Sequence, residues 1–157
     1  MNILGFDQAS FITGFAYAEN EGVVDFGTIS VSKKMDLLER ISVTKQNVGT
    51  LIEKYNPDII LLEDTQLQRN PLTFKALSKL LGILEMYVIE QNIPCVVIPC
   101  NEWREGLGIK GKNREQKKQN AIRYVKEVLG LELTDDNMAE AICIVEYYRQ
   151  KYSTKSN

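Results

Sequence analysis

Apolar residues along the chain follow two spacings, and each spacing predicts one kind of secondary structure. Unbroken or alternating apolar runs are typical of strands, and the chain has five of them. They cover residues 2–7, 11–19, 23–31, 59–63 and 93–99. The segment Asn20-Glu21-Gly22 separates the second run from the third and has the composition of a tight turn. These two runs are therefore predicted to form a hairpin.

Apolar residues recur every three or four positions in four other segments, which is helical spacing. The predicted helices cover residues 34–55, a segment that starts near Pro71, a basic segment that ends near Gly130, and residues 135–150. The buried face of the second helix is predicted to carry Leu77, Leu80, Leu81, Leu84, Tyr87 and Val88. Three glycines within residues 106–113 predict a loop before the basic helix.

The predicted order of elements is β-β-β-α-β-α-β-α-α, which belongs to the α/β class. A strand meander followed by alternating helices and strands predicts a five-stranded mixed sheet with helices on both faces. No repeat or linker interrupts the pattern, so we expect a single domain over residues 1–150 and a frayed basic tail over residues 151–157. No apolar run approaches the ~20 residues that a membrane-spanning helix needs.

The composition excludes several kinds of catalysis. The 157 residues include no histidine, which rules out Ser-His-Asp and Cys-His triads, His-ligated zinc and a histidine general base. The three cysteines form no Cys-x-x-Cys pair, which argues against a disulfide framework or a zinc knuckle. We therefore expect a cytoplasmic protein in which carboxylates carry any catalysis, with or without a metal ion.

The net charge of −2 hides an uneven distribution along the chain. Residues 104–126 contain eight basic and two acidic residues, so this segment carries +6 and the remainder carries −8. A solvated, charged helix is the common explanation for such a run. A strip that binds phosphate groups, on an otherwise acidic protein, is the alternative.

Two acidic residues end predicted strands, and a third lies on the last predicted helix. Asp7 ends the first strand and Glu63 ends the fourth, and binding sites in open α/β sheets form beyond the carboxyl ends of strands. Glu140 lies beyond the first turn of its helix, among apolar residues, where helix capping does not explain it. Asp136 lies four residues earlier on the same side, where capping alone would account for it.

Acids that converge without histidine are suited to hard divalent cations. Carboxylate oxygens are the natural ligands of Mg²⁺. Two such ions about 4 Å apart can activate a water molecule and stabilise the leaving oxygen in phosphodiester hydrolysis. A basic strip beside the acids would hold a nucleic-acid backbone. The acids and the strip together favour a nuclease.

Four segments resemble the RuvC-type Holliday junction resolvases in order and spacing. They are ILGFDQASFITGFAYA, IILLEDTQLQRNPLTFKALSKLLGILE, IPCNEWREGLGIKGKNREQKKQNAI and DDNMAEAICI. The chain looks like a small phage-encoded member of this group. The resemblance implies an RNase H-like fold and a homodimer that nicks two opposed strands of a four-way junction. It also implies a dependence on Mg²⁺, for which Mn²⁺ can substitute, with two ions in each active site.

The resemblance also implies roles for individual residues. Asp7, Glu63 and Glu140 match catalytic, metal-binding acids of the family. The fourth acid usually lies three residues before the last one, where this chain has Asn137, so Asp136 is predicted to replace it and Asn137 is the alternative ligand. Ala9 stands where the family usually has a glycine.

Predicted DNA contacts come from the resemblance and from the basic strip. Arg104 and either Lys117 or Lys118 match basic positions of the family. The full predicted set is Arg69, Lys75, Lys79, Arg104, Lys110, Lys112, Arg114, Lys117 and Lys118. Gln66 replaces an aromatic wedge that the family often carries. Trp103 either stacks on a base or anchors its segment in the core, and we favour the core.

Three other functions compete with a junction resolvase. A branched-DNA-binding protein with weak or relaxed nuclease activity is suggested by Ala9 and Asn137. Another nuclease of the RNase H-like fold, such as a ribonuclease H or a YqgF-like enzyme, shares the same acids. An actin-like or sugar-kinase ATPase needs two lobes and a second glycine-rich motif, which 157 residues do not accommodate. We therefore expect branched DNA as the partner, with no nucleotide cofactor and no membrane.

Overall fold

A computed structural model describes residues 1–153 and contains one five-stranded sheet. The strands are β1 (Ile3–Asp7), β2 (Ile12–Glu19), β3 (Gly22–Ser30), β4 (Ile59–Glu63) and β5 (Cys95–Ile98). Their order in the sheet is β3-β2-β1-β4-β5. Strand β2 pairs antiparallel with both β1 and β3, whereas β1, β4 and β5 run parallel to one another. The predicted mixed sheet is confirmed.

Five helices accompany the sheet in the described residues. They are α1 (Leu37–Tyr55), α2 (Pro71–Glu90), α3 (Cys100–Gly106), α4 (Arg114–Leu129) and α5 (Asp136–Ser153). Helix α1 begins three residues later than predicted, because Asp36 and Glu39 form a reciprocal capping box with each other's backbone N–H. Pro71 occupies the first turn of α2, and Gly130 ends α4 at φ 69°, a backbone conformation that favours glycine.

The predicted element order needs two corrections. A third helix, α3, follows β5 directly, so three helices rather than two end the chain. Its seven residues are too few to show helical periodicity, and no side chain caps its start, so the sequence carries no signal for it. Helix α5 also continues to Ser153, three residues into the expected tail. Residues 154–157 of that tail lie outside the described residues.

Apolar side chains fill both sides of the sheet, as a sheet covered by helices requires. Leu4 and Phe6 of β1 point to the side covered by α1 and α2. Ile3 points to the other side, where α3, α4 and α5 pack. Within the described residues, none of the helices has the length and apolar character needed to cross a membrane.

A glycine allows α5 to approach the sheet beside β1. Gly14 of β2 lies directly opposite Asp7 of β1 in the strand register. A Cβ atom on Gly14 would overlap the carbonyl oxygen of Asn137 at the start of α5. The absence of a side chain at this position therefore lets the first turns of α5 lie next to the end of β1.

Candidate active site

The carboxyl ends of two parallel strands bring two acids together at one edge of the sheet. Phe6 of β1 pairs with Leu62 of β4, so the residues that follow them, Asp7 and Glu63, end neighbouring strands side by side. Their carboxyl groups are close enough to form a hydrogen bond when one is protonated. Both line a cleft of about 680 Å³ that also receives Glu140 from α5. The structure therefore brings together three of the predicted acids.

Burial and neighbouring negative charges raise the pKa of two of the three acids, Asp7 and Glu63. Burial raises the pKa of Asp7 well above its ordinary value, and the negative charges of Glu63 and Glu140 raise it further. Burial and the charge of Glu140 also raise the pKa of Glu63, although the Trp103 N–H and the Arg104 charge oppose this. Only 6 % of Asp7 is exposed, so water screens its charge poorly. A cation bound between these carboxylates would relieve the repulsion.

Gln8 fixes the backbone beside the two acids. Its side-chain amide donates to the carbonyl oxygen of Glu63, and its side-chain oxygen accepts from the Glu63 N–H at 3.2 Å. These reciprocal bonds tie the end of β1 to the end of β4, just beyond their last strand pair. Sequence reasoning missed this residue, and its position next to Asp7 was the only available signal.

Two consecutive residues of α3 contact two of the acids. The Trp103 indole N–H donates to Oε1 of Glu63 at 2.8 Å. The Arg104 guanidinium forms an ion pair with Glu140 and lies over the Trp103 ring, 4.6 Å from its centroid. Trp103 is fully buried, as expected for a core anchor, and it also has a polar partner that the sequence did not reveal.

The two candidates for the fourth metal ligand, Asn137 and Asp136, lie in different surroundings. Asn137 lines the cleft together with Asp7 and Glu140. Asp136 forms an ion pair with Lys118 and is not part of the described cleft wall. Asp135 caps the helix by accepting from the Met138 N–H at 3.0 Å, so Asp136 is not needed as the cap. The arrangement favours Asn137, the alternative, as the residue that faces the acids.

The predicted DNA contacts divide into two groups. Five of the nine line the cleft: Arg69, Arg104, Arg114, Lys117 and Lys118. The other four lie outside its described wall: Lys75, Lys79, Lys110 and Lys112. Of the first group, Arg104 and Lys118 already pair with acids in the cleft or at its margin. Half of the eight basic residues of the strip therefore line the same cleft as the acids.

Residues 3–145 match the family model of the crossover junction endodeoxyribonuclease RuvC. The chain belongs to this family. A RuvC of Thermomicrobium roseum is 25 % identical over 155 residues, which cover 95 % of each chain. A RuvC of T. thermophilus in complex with a Holliday junction substrate has a TM-score of 0.79 at 15 % identity, over 98 % of this chain and 97 % of that one. A Fowlpox virus resolvase has a TM-score of 0.66 at 15 % identity, over 96 % of this chain and 98 % of that one. Family and fold predictions are confirmed.

RuvC proteins depend on a divalent cation, and some of the side chains in this cleft could hold one. Mg²⁺ usually keeps several waters and takes only one or two carboxylates from a protein. Asp7 and Glu63 supply adjacent carboxyl oxygens, and the negative charge of Glu63 acts on Asp7. Within residues 1–153, no group of three acidic or cysteine side chains is arranged to hold a metal ion, and Glu140 is ion-paired with Arg104. Asp7 and Glu63 therefore fit one ion, and Glu140 would need to leave Arg104 before it could contribute to the metal site.

Proposed function

We propose that this chain is a structure-selective endonuclease that resolves four-way or other branched DNA junctions by paired nicks. One observation carries the proposal: the cleft joins three acids from β1, β4 and α5 to a set of basic side chains. Phosphate groups of a DNA backbone would be attracted to the basic side chains and held beside the acids. The junction-bound relative of the same fold supports branched DNA as the substrate.

Asp7 and Glu63 would hold one Mg²⁺, or Mn²⁺ in its place. Glu140, once released from Arg104, would complete a two-ion site together with Asn137, with Asp136 as the alternative to Asn137. When bound, the ions would supply Lewis acidity to activate a water molecule and to stabilise the leaving oxygen of the phosphodiester. Gln8 keeps the two strand ends in register, so that the carboxylates of Asp7 and Glu63 stay adjacent.

The basic side chains of the cleft would position the substrate. Arg69 and Arg114 lie on the wall beside the acids and would bind phosphates on either side of the cut. Lys117 adds a further positive charge to the same wall. In the cut, a water oxygen would bond to the phosphorus as the P–O3′ bond breaks, which would leave a 5′-phosphate and a 3′-hydroxyl.

Paired nicks need two active sites, so we propose a homodimer. Helix α2 exposes the apolar side chains of Ile83, Met86 and Ile89, and together they provide a surface for a second copy. Cytoplasm, or the host cytoplasm if the chain is phage-encoded, is the proposed compartment, where junction DNA would be available.

A branched-DNA-binding protein with weak or relaxed nuclease activity is the second candidate. Asn137 favours it, because this neutral amide lines the cleft where the family usually places an acid. An amide oxygen is a weaker ligand for Mg²⁺ than a carboxylate, which would lower the occupancy of the second ion.

The test is cleavage of labelled four-way junction, fork and duplex DNA side by side, with and without Mg²⁺. The wild-type protein should nick the junction fastest and only with the metal. Asp7→Asn and Glu63→Gln should abolish nicking and still shift the junction in a gel. Glu53→Gln, an exposed acid on α1, is the matched control and should cleave normally. Junction binding without cleavage by the wild type would favour the second candidate, and a failure to bind branched DNA would overturn both.

A further inference from the structure

We infer that Trp103 is a positioning residue that holds the Glu63 carboxylate in its working orientation through the indole N–H. The inference rests on the proposed function, in which Glu63 is a metal ligand. Trp103 is fully buried, and its Nε1 lies 2.8 Å from Oε1 of Glu63. An indole N–H is a donor only, and a buried donor needs an acceptor.

The position of Trp103 follows from the route of the chain after β5. Glu63 pairs with Ile98 in the parallel register of β4 and β5, and the Asp64 N–H donates to the Ile98 carbonyl at 2.9 Å. Helix α3 starts two residues after Ile98, so its first turn lies beside the end of β4. This geometry carries the Trp103 ring under the Glu63 side chain, and the ring packs into the core on that side of the sheet.

Because the indole N–H is uncharged, its effect on Glu63 differs from that of a cationic donor. Glu63 lies beside Asp7 and near Glu140, and Arg104 already neutralises Glu140. The indole N–H fixes one oxygen of Glu63 without adding a positive charge that would compete with a metal ion. The other oxygen stays available as a ligand. Residues that orient metal ligands in this way typically change metal affinity by about 10–100-fold when they are replaced.

A purely structural role for Trp103 predicts different behaviour. If the ring acts only as a core anchor, Trp103→Phe keeps an aromatic ring in the core and metal affinity stays at the wild-type level. Tyr147→Phe provides a matched control in the same core cluster. It also deletes a single donated hydrogen bond to a glutamate, from the Tyr147 hydroxyl to Glu102 of α3 at 2.6 Å.

The first arm of the test uses the fact that Trp103 is the only tryptophan of the chain. Tryptophan emission of the wild-type protein is followed during a Mg²⁺ titration without DNA. We expect a saturable change in emission, because the cation binds the carboxylate that accepts from the indole. Glu63→Gln should lose this response, and Tyr147→Phe should keep it. Wild-type emission that does not change over the range where calorimetry detects Mg²⁺ binding would overturn the inference.

The second arm measures Mg²⁺ affinity of the variants by calorimetry. Trp103→Phe should raise the dissociation constant by about 10–100-fold, while Tyr147→Phe stays within about twofold of wild type. A wild-type constant for Trp103→Phe, or no Mg²⁺ binding by the wild type, overturns the inference. If Trp103→Phe does not fold, the emission arm decides alone. A Mg²⁺ response in a protein that nicks no junction would refute the proposed function and leave the positioning role intact.

Discussion

Helix α5 buries two glutamates, and they differ in where their partners come from. Glu146 is 2 % exposed and accepts two hydrogen bonds from Arg149, each 2.9 Å long, and one from Gln150 at 2.8 Å. All of these donors lie within four residues on the same helix. Glu140 is 5 % exposed, and its cation, Arg104, comes from α3. Glu140 also faces two other acids, which Glu146 does not.

We interpret this difference as one between an acid that supports the fold, Glu146, and an acid that we propose serves the active site, Glu140. The negative charge of Glu146 is satisfied locally, and its bidentate pair with Arg149 is a favourable geometry for a buried carboxylate. Glu140 has Cys143 and Ile144 at the positions where Glu146 has Arg149 and Gln150. The negative charge of Glu140 must therefore be balanced by a residue of another element, and the repulsion from Asp7 remains. Natural proteins accept such local conflicts mainly at functional sites.

The largest expected effect is on catalysis at Glu140. Glu140→Gln should slow junction nicking in Mg²⁺ by about 10³-fold or more, equivalent to about 4 kcal/mol of transition-state stabilisation. The reason is that the amide removes one anionic metal ligand and keeps the shape of the side chain. Nicking is measured under single-turnover conditions with a labelled four-way junction.

The stability of the same variant sharpens the comparison. Gln at position 140 loses the ion pair with Arg104 but also relieves the repulsion among the three acids, and these two changes oppose each other. We expect a thermal midpoint without metal close to that of the wild type. A large loss of stability together with normal nicking would assign Glu140 to the fold and not to the site.

The second effect is on folding at Glu146. Glu146→Gln should lower the free energy of unfolding by about 1–3 kcal/mol, because it weakens charge-assisted hydrogen bonds with Arg149. For a chain of this size, each kcal/mol corresponds to about 2–4 °C in the thermal midpoint. The nicking rate below the transition should stay at the wild-type level. Loss of nicking in the folded variant would contradict the distinction between the two glutamates.

The third effect concerns the start of the same helix. Asn137→Ala should reduce nicking by about 10–100-fold, the range typical of residues that support a metal site, whereas Asp136→Asn should reduce it less. Asn137 lines the cleft, and Asp136 is turned to Lys118. The two variants are compared by the Mg²⁺ concentration that gives half-maximal nicking. A larger effect at Asp136 would restore it as the fourth ligand.

The sequence predicted the strands and longer helices well, because their apolar periodicity is strong. It also singled out Asp7, Glu63 and Glu140, which the structure places in one cleft. Two of them end predicted strands, and the third lies among apolar residues of a helix, where capping does not explain it. It missed α3, whose seven residues leave no periodic signal, and with it the partners of Glu63 and Glu140. It also missed the contact of Gln8 with Glu63, because that contact joins residues 55 positions apart.

The orientation of Asp136 could not be predicted for a related reason. Residues 136 and 137 both lie in the first turn of α5, and the sequence alone does not show which of them points toward the acids. Only the neighbours from other elements decide this. Lys118 of α4 attracts Asp136, and Gly14 of β2 admits the backbone at Asn137. Such choices depend on tertiary contacts, which a single sequence does not contain.

The smallest expected effect compares two lysines of α4 that each pair with an acid. Lys118 lies in the cleft and pairs with Asp136, and its side chain is 25 % exposed. Lys126 lies at the far end of the helix and pairs with Glu132, and its side chain is 62 % exposed. Lys118→Ala should weaken junction binding and reduce the slope of log affinity against log salt by about 1, because one phosphate contact is lost. Lys126→Ala should change neither quantity, since an exposed pair outside the cleft contributes little to binding.

Binding is measured by fluorescence anisotropy over a range of salt concentrations with the Asp7→Asn background, so that no cleavage occurs. Equal slopes for the two variants would mean that the DNA does not follow the cleft along α4. The distinction between residues of the site and residues of the fold would then apply to the two glutamates of α5 but not to the two lysines of α4.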